Sequence, residues 1–79
     1  MKFKVAVNAV VDELFAAQAK FPPYNSLVEG KGVISEEWDE LREAIRKNST
    51  GPYGKADLQV EIEAKQVAAT ALRLLIDLC

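Results

Sequence analysis

Four side chains in this sequence have the types and spacing to hold a hard cation. Glu37 and Glu40 lie three residues apart within Ser35-Glu36-Glu37-Trp38-Asp39-Glu40-Leu41, and Glu63 and Gln66 lie three apart within a long alanine-rich segment. A three-residue step puts both members of a pair on one face of a helix. Two such helices lying side by side would gather three carboxylates and one amide oxygen. An all-oxygen set of this kind suits Mg²⁺ or Mn²⁺ and, through the ion, nucleotide phosphates.

Composition narrows the chemistry. The sequence has no histidine, which excludes Ser-His-Asp and Cys-His catalysis and any His-ligated zinc site. Polar chemistry is left to carboxylates, Lys, Arg, Tyr or a bound ion. Cys79 is the only cysteine, so no disulfide can form within the chain. A lone thiol fits a reducing compartment. Ten basic residues stand against 12 acidic ones, a net charge of −2, with no basic cluster. A nucleic-acid surface and a transcription factor are therefore not expected. No apolar run is long enough to span a membrane. Asn8, Asp12 and Glu13 interrupt the only stretch that resembles a leader peptide. The expected location is the cytoplasm.

The elements that must position the four residues are helices. Residues 1–79 form one domain, and a chain of this length is marginally stable alone. Metal binding and self-association are the remaining aids once disulfides are excluded. The spacing predicts an all-α bundle of three helices, at about 2–20, 26–48 and 56–78. In the first, Lys4, Asn8 and Asp12 recur every four residues, opposite Val7, Val10, Val11, Leu14 and Phe15. Phe21-Pro22-Pro23-Tyr24 stops it, since two prolines cannot continue a helix interior. Ser26 with Glu29 is a capping-box pattern that starts the second helix, although Gly30 and Gly32 each cost it about 1 kcal/mol relative to Ala. A start at Ser35 is the alternative. Ser49-Thr50-Gly51-Pro52-Tyr53-Gly54 is a turn-rich connection to the third helix.

At about 100° per residue, Ile34, Trp38, Leu41 and Ile45 form the apolar stripe of the second helix. Glu37 falls on the edge of that stripe and Glu40 on the same flank, whereas Glu36 and Glu43 face solvent. The third helix has two apolar faces. One is Val60, Ala64, Val67, Ala71, Leu74 and Leu78; the other is Leu58, Ile62, Ala69, Leu72 and Ile76. A helix apolar on two sides is covered on both. A second subunit is the natural cover for one face, which makes a homodimer the expected assembly from the faces alone. Between the faces runs a polar strip of Glu63, Gln66, Arg73 and Asp77. A carboxylate so placed is partly desolvated and needs a partner. Arg73, nearly three turns away, could serve only through another subunit or a bridging group; a cation is the other candidate.

Other signals are weaker. Gly51-Pro52-Tyr53-Gly54-Lys55-Ala56 resembles the end of a phosphate-binding loop but lacks its first glycine, its Ser or Thr and its strand. Lys55 remains a candidate cation for phosphate at a helix N-terminus, the other reading being an exposed charge. Trp38 is expected in the core. Phe21 and Tyr24 are candidates either for an aromatic wall against a nucleobase or for packing at a helix corner. Arg42 and Arg46 read as surface charges.

The run Lys20-Phe21-Pro22-Pro23-Tyr24-Asn25-Ser26-Leu27-Val28-Glu29-Gly30, with Glu36-Glu37-Trp38-Asp39-Glu40-Leu41, resembles the MazG-like all-α nucleoside triphosphate pyrophosphohydrolases. Glu63-Ala64-Lys65-Gln66-Val67-Ala68-Ala69-Thr70-Ala71-Leu72-Arg73 looks like the matching helix of phage- and plasmid-borne members. The resemblance implies a helical bundle assembled as a dimer or tetramer. It implies Mg²⁺-dependent cleavage of a nucleoside triphosphate between the α and β phosphates. The family signature is E-x-x-E, a spacer, then E-x-x-D. Glu37 and Glu40 match the first pair and are the implied catalytic carboxylates. A gap of 22 residues follows, then Glu63. Gln66 stands where the family has Asp: its amide oxygen can bind a hard cation but brings no charge. The expected metal ligands are thus Glu37, Glu40, Glu63 and Gln66, with Lys55, Arg73 and Tyr24 as substrate contacts. A catalytically degenerate nucleotide binder or helical dimerisation module is the alternative.

Overall fold

A computed structural model describes all of residues 1–79. It contains three helices, α1 (Phe3–Lys20), α2 (Leu27–Arg46) and α3 (Leu58–Leu78), and no strand. α3 packs against both α1 and α2, while α1 and α2 do not contact each other. The result is an open V over α3, and the gap between its arms is where the site lies. No helix is long and apolar enough to cross a membrane.

Local chemistry sets the helix ends. α1 stops at Lys20, where Phe21 turns extended ahead of the two prolines. Ser26 caps α2: its Oγ accepts from Glu29 N at 3.1 Å, and Glu29 Oε2 accepts from Asn25 N at 3.2 Å. The earlier of the two expected starts is the one observed. α2 ends at Arg46, slightly before the expected Asn48, because Asn48 organises the following loop. Its Nδ2 donates to the carbonyls of Gly51 and Lys55 at 2.9 Å each, and its Oδ1 accepts from Asp57 N at 2.8 Å. Gly51 supplies the left-handed residue this turn needs, at φ +84°. α3 starts at Leu58 instead of near Ala56, because Asp57 is its N-cap and Oδ1 accepts from Val60 N at 3.1 Å.

The interior is thin and unusually polar. Leu14, Tyr24, Ala44 and Ala69 are its buried apolar members, and no large side chain is fully enclosed. Trp38 is not in the core: it is 49% exposed, and Ile45 is 37% exposed. The inward face of α2 runs instead through Gly30, Val33, Glu37, Leu41 and Ala44. Gly30 explains the rotation. A Cβ there would lie 2.8 Å from Leu74 Cδ1 and 3.3 Å from Tyr24 Cδ2, so a larger residue fits only if the end of the Leu74 side chain and the Tyr24 ring give way. Turning Gly30 inward carries Glu37 inward with it and moves Trp38 to the flank.

α3 shows the same inversion. Its most buried residues include Glu63, Thr70 and Arg73, whereas Ala64, Ala71, Leu75 and Ile76 are exposed. Gln59, Glu63, Gln66, Thr70, Arg73 and Asp77 step by alternating fours and threes, the spacing of a helix-packing seam. The polar strip is therefore the seam itself. The protein exposes 5728 Å². Surface scaling for a folded monomer of 8.7 kDa gives roughly 4,700 Å².

Candidate functional site

Glu37 and Glu40 from α2 meet Glu63 from α3 with one carboxylate oxygen of each lying within 4.8 Å of the others. Packing brings this about: the inward rotation of α2 aims the acid pair at the seam of α3. Burial, together with the charges of Glu40 and Glu63, pushes the Glu37 carboxyl above its ordinary range. Glu63 is raised too, first by burial and then by Glu40 beside it, with a hydrogen bond from Gln59 partly offsetting the effect.

Two amides serve these acids. Gln59 Nε2 donates to Glu63 Oε1 at 2.8 Å. The Gln66 amide satisfies its neighbours when its nitrogen faces them, donating to Glu63 Oε2 at 3.1 Å and Glu37 Oε2 at 3.0 Å. Gln66 is thus brought into the cluster as expected, but as a donor bridging two carboxylates. Its oxygen would reach a cation only after the amide turned over. Gln59 escaped the sequence reading, although it lies four residues before Glu63 on the same face.

The cluster borders an open cleft of about 580 Å³ between the arms of the V. Glu37 and Gln66 are the two cluster members that line it. α1 contributes Glu13, Ala16, Ala17 and Lys20, and α2 contributes Glu29, Val33 and Glu36. Thr70 and Arg73 lie on its α3 side. Glu36 is exposed, as expected, and also stands on the rim of the cleft. Within the chain, Glu63 is hydrogen-bonded to Gln59 and Gln66, and Arg73 lies beyond ion-pair distance of it.

The far end of the cleft is built from the Pro-Pro turn. Tyr24 is 5% exposed, its hydroxyl is 3.4 Å from the carbonyl of Thr70, and its backbone N–H donates to Asp77 Oδ2 at 3.0 Å. One face of its ring carries the Arg73 guanidinium at 4.3 Å, and α2 at Gly30 packs against its edge. Burial raises its phenol above the usual range, and Arg73 works against that shift. Tyr24 is therefore a strut joining the turn, α2 and α3; this position suits the corner-packing reading better than a stacking wall. Phe21 is 51% exposed, with Lys20 Nζ at 5.4 Å and Arg73 at 5.9 Å from its ring centre.

Lys55 is not among the residues that line the cleft. It sits exposed in the α2–α3 loop, where its carbonyl accepts from Asn48 Nδ2 and from Thr50 Oγ1. Arg42 and Arg46 pair with Asp39 and Glu43 on the outer surface of α2. The Glu43 carboxyl is held down at about 2 by its hydrogen bonds from Arg46 and Lys47. Comparison with protein-family models, with curated proteins and with solved structures finds no match for this chain.

Proposed function

We propose that this chain is a divalent-cation-dependent nucleoside triphosphate pyrophosphohydrolase of the MazG-like kind. The observation that carries the reading is the convergence of Glu37, Glu40 and Glu63 from two helices beside an open cleft. The donor set fits a hard cation: three carboxylates supply oxygen ligands and negative charge, and Glu37 and Glu63 are held above their ordinary pKa first by burial and then by the neighbouring acids. Glu37, Glu40 and Glu63 would hold Mg²⁺ or Mn²⁺, whose part at such a site is to neutralise phosphate charge and activate a water. In the reaction the water oxygen bonds to the α-phosphorus and the bond from that phosphorus to the β-phosphate oxygen breaks. Monophosphate and pyrophosphate result, and a carboxylate of the cluster accepts the proton of the water. Gln59 orients Glu63 for this work, and the cleft receives the nucleotide. A cytoplasmic setting belongs to the same reading.

Self-association is part of the proposal. Phe3, Phe15, Leu58, Leu75 and Ile76 are each more than half exposed, and the surface exceeds the monomer expectation. A homodimer or homotetramer would cover these side chains. Sedimentation should give a species of at least twice the chain mass.

The test is pyrophosphate release from a panel of ribo- and deoxyribonucleoside triphosphates with Mg²⁺ or Mn²⁺. Turnover that is lost in Glu37→Ala is the expected result; no release from any nucleotide by the unaltered protein removes the enzyme claim. The bridging amide of Gln66 favours a second reading, a catalytically degenerate nucleotide binder, because it supplies donors where a cation would otherwise be needed. Calorimetry separates the two: a degenerate binder takes up metal-nucleotide without releasing pyrophosphate.

A further inference from the structure

Arg73 is 5% exposed, so its guanidinium is largely withdrawn from water. A charge in that position needs compensation. No carboxylate oxygen lies within 4.0 Å of it; the ion pairs of the protein all belong to exposed residues of α2 and its C-cap. Asp77, one turn further along α3, is committed to Tyr24 N. Arg73 has five N–H donors, and the structure assigns one of them a partner within the chain: Nη2 donates to the carbonyl of Pro22 at 3.0 Å. The Tyr24 ring lies against the guanidinium, its centre 4.3 Å away. The group lines the cleft, and no nitrogen of it is both buried and without a partner, so its remaining N–H donors are open to solvent in the cleft.

We infer that Arg73, with Lys20 beside it, forms an oxyanion-binding site at the Pro-Pro end of the cleft. Lys20 lines the same cleft, and the two cations flank the ring of Phe21. A planar guanidinium held by stacking is suited to grip two oxygens of one phosphate or carboxylate. Glu13, Glu29, Glu36 and Glu37 line the same cleft, so the cleft as a whole repels anions, and Arg73 and Lys20 are the cations in it that can hold one. Helical rise places Arg73 about 15 Å along α3 from Glu63 and about 10 Å from Gln66. Arg73 is thus well apart from Glu63, while Glu37 lines the same cleft; the site needs no cation at the cluster.

Inorganic phosphate is the probe, added to the full chain in a chelating buffer at fixed ionic strength and followed by ¹H–¹⁵N spectra that include arginine side chains. Saturable shifts centred on the Arg73 guanidinium, Phe21 and Tyr24 are expected. Arg73→Lys should weaken the midpoint by about tenfold, Lys20→Ala by less, and Lys55→Ala, outside the cleft, should leave it unchanged. The chelating buffer separates this site from the proposed metal site: the phosphate response persists even if nucleotide turnover is never found. Acetate shifting the same resonances as strongly as phosphate would support the site and widen it to carboxylates. Equal shifts with chloride, or shifts spread over surface lysines, would overturn it. The map on the unaltered protein decides the matter even if Arg73→Lys does not fold.

Discussion

The two halves of the α3 seam hold their charges in different ways. In the first half, Glu63 meets Glu37 and Glu40, and two neutral amides are the donors at hand. In the second, Arg73 meets a carbonyl and an aromatic face, while Asp77 is engaged by a backbone N–H. The acidic half gathers like charges; the basic half holds Arg73 and Asp77 out of ion-pair distance of each other. About 15 Å of helix keeps them from neutralising each other. Charge separated in this way along one cleft does little for stability, since each group forfeits hydration without an ionic partner. It fits a binding surface better than a packing core.

The comparison can be broken most directly at the acidic half. Glu63→Ala should reduce pyrophosphate release by more than the roughly 10–100-fold that loss of a supporting partner costs. Arg73→Lys should act mainly on substrate KM. Equal losses of kcat in both would mean that the halves do not have distinct roles.

Next in size is the response to pH. Glu37 and Glu63 have folded pKa values above the unfolded value of about 4.5. The unfolded chain therefore gives up these protons first as pH rises. Their contribution to stability is full below that value and is lost as pH climbs through the folded values. Chelated protein should melt at lower temperature at pH 7 than near pH 5, and added Mg²⁺ should narrow the gap. A melting temperature flat in pH, with and without chelator, would mean that the cluster is not short of positive charge.

Gly30→Ala comes third. It forces a methyl group against Leu74 and Tyr24, and the cost should be about 1–3 kcal/mol by urea denaturation. The strut at the basic half and the inward turn of Glu37 both depend on that approach, so metal affinity should fall along with stability. Asp57→Ala, which removes the cap of α3, should cost about 1 kcal/mol without altering the site. Lys55→Ala is expected to change turnover less than any of these, because Lys55 lies outside the cleft.

Much of the scaffold is legible in the sequence because its signals are local. The Pro-Pro stop, the Ser26 cap and the alternating polar strip of α3 all act within a few residues. The inward faces are less legible. Apolar periodicity places Trp38 inside, but what turns α2 is the absence of a side chain at Gly30, and a missing side chain leaves no apolar mark. α1 is also read only in part: Leu14 is buried, while Phe15 and Val7, assigned to its apolar side, are exposed. The acid pairs are visible from their three-residue spacing. The donor role of Gln66 is not, since it depends on which amide end meets Glu37 across two helices. The isolation of Arg73 depends on where the Pro22 carbonyl falls, a contact between residues 51 apart in sequence.

Anomalous diffraction from a crystal grown with Mn²⁺ tests the central claim most directly. The account predicts one strong peak bounded by carboxylate oxygens of Glu37, Glu40 and Glu63, with the Gln66 amide turned to present its oxygen. A map with no peak among those three acids, and Gln66 still donating to Glu37 and Glu63, would contradict it.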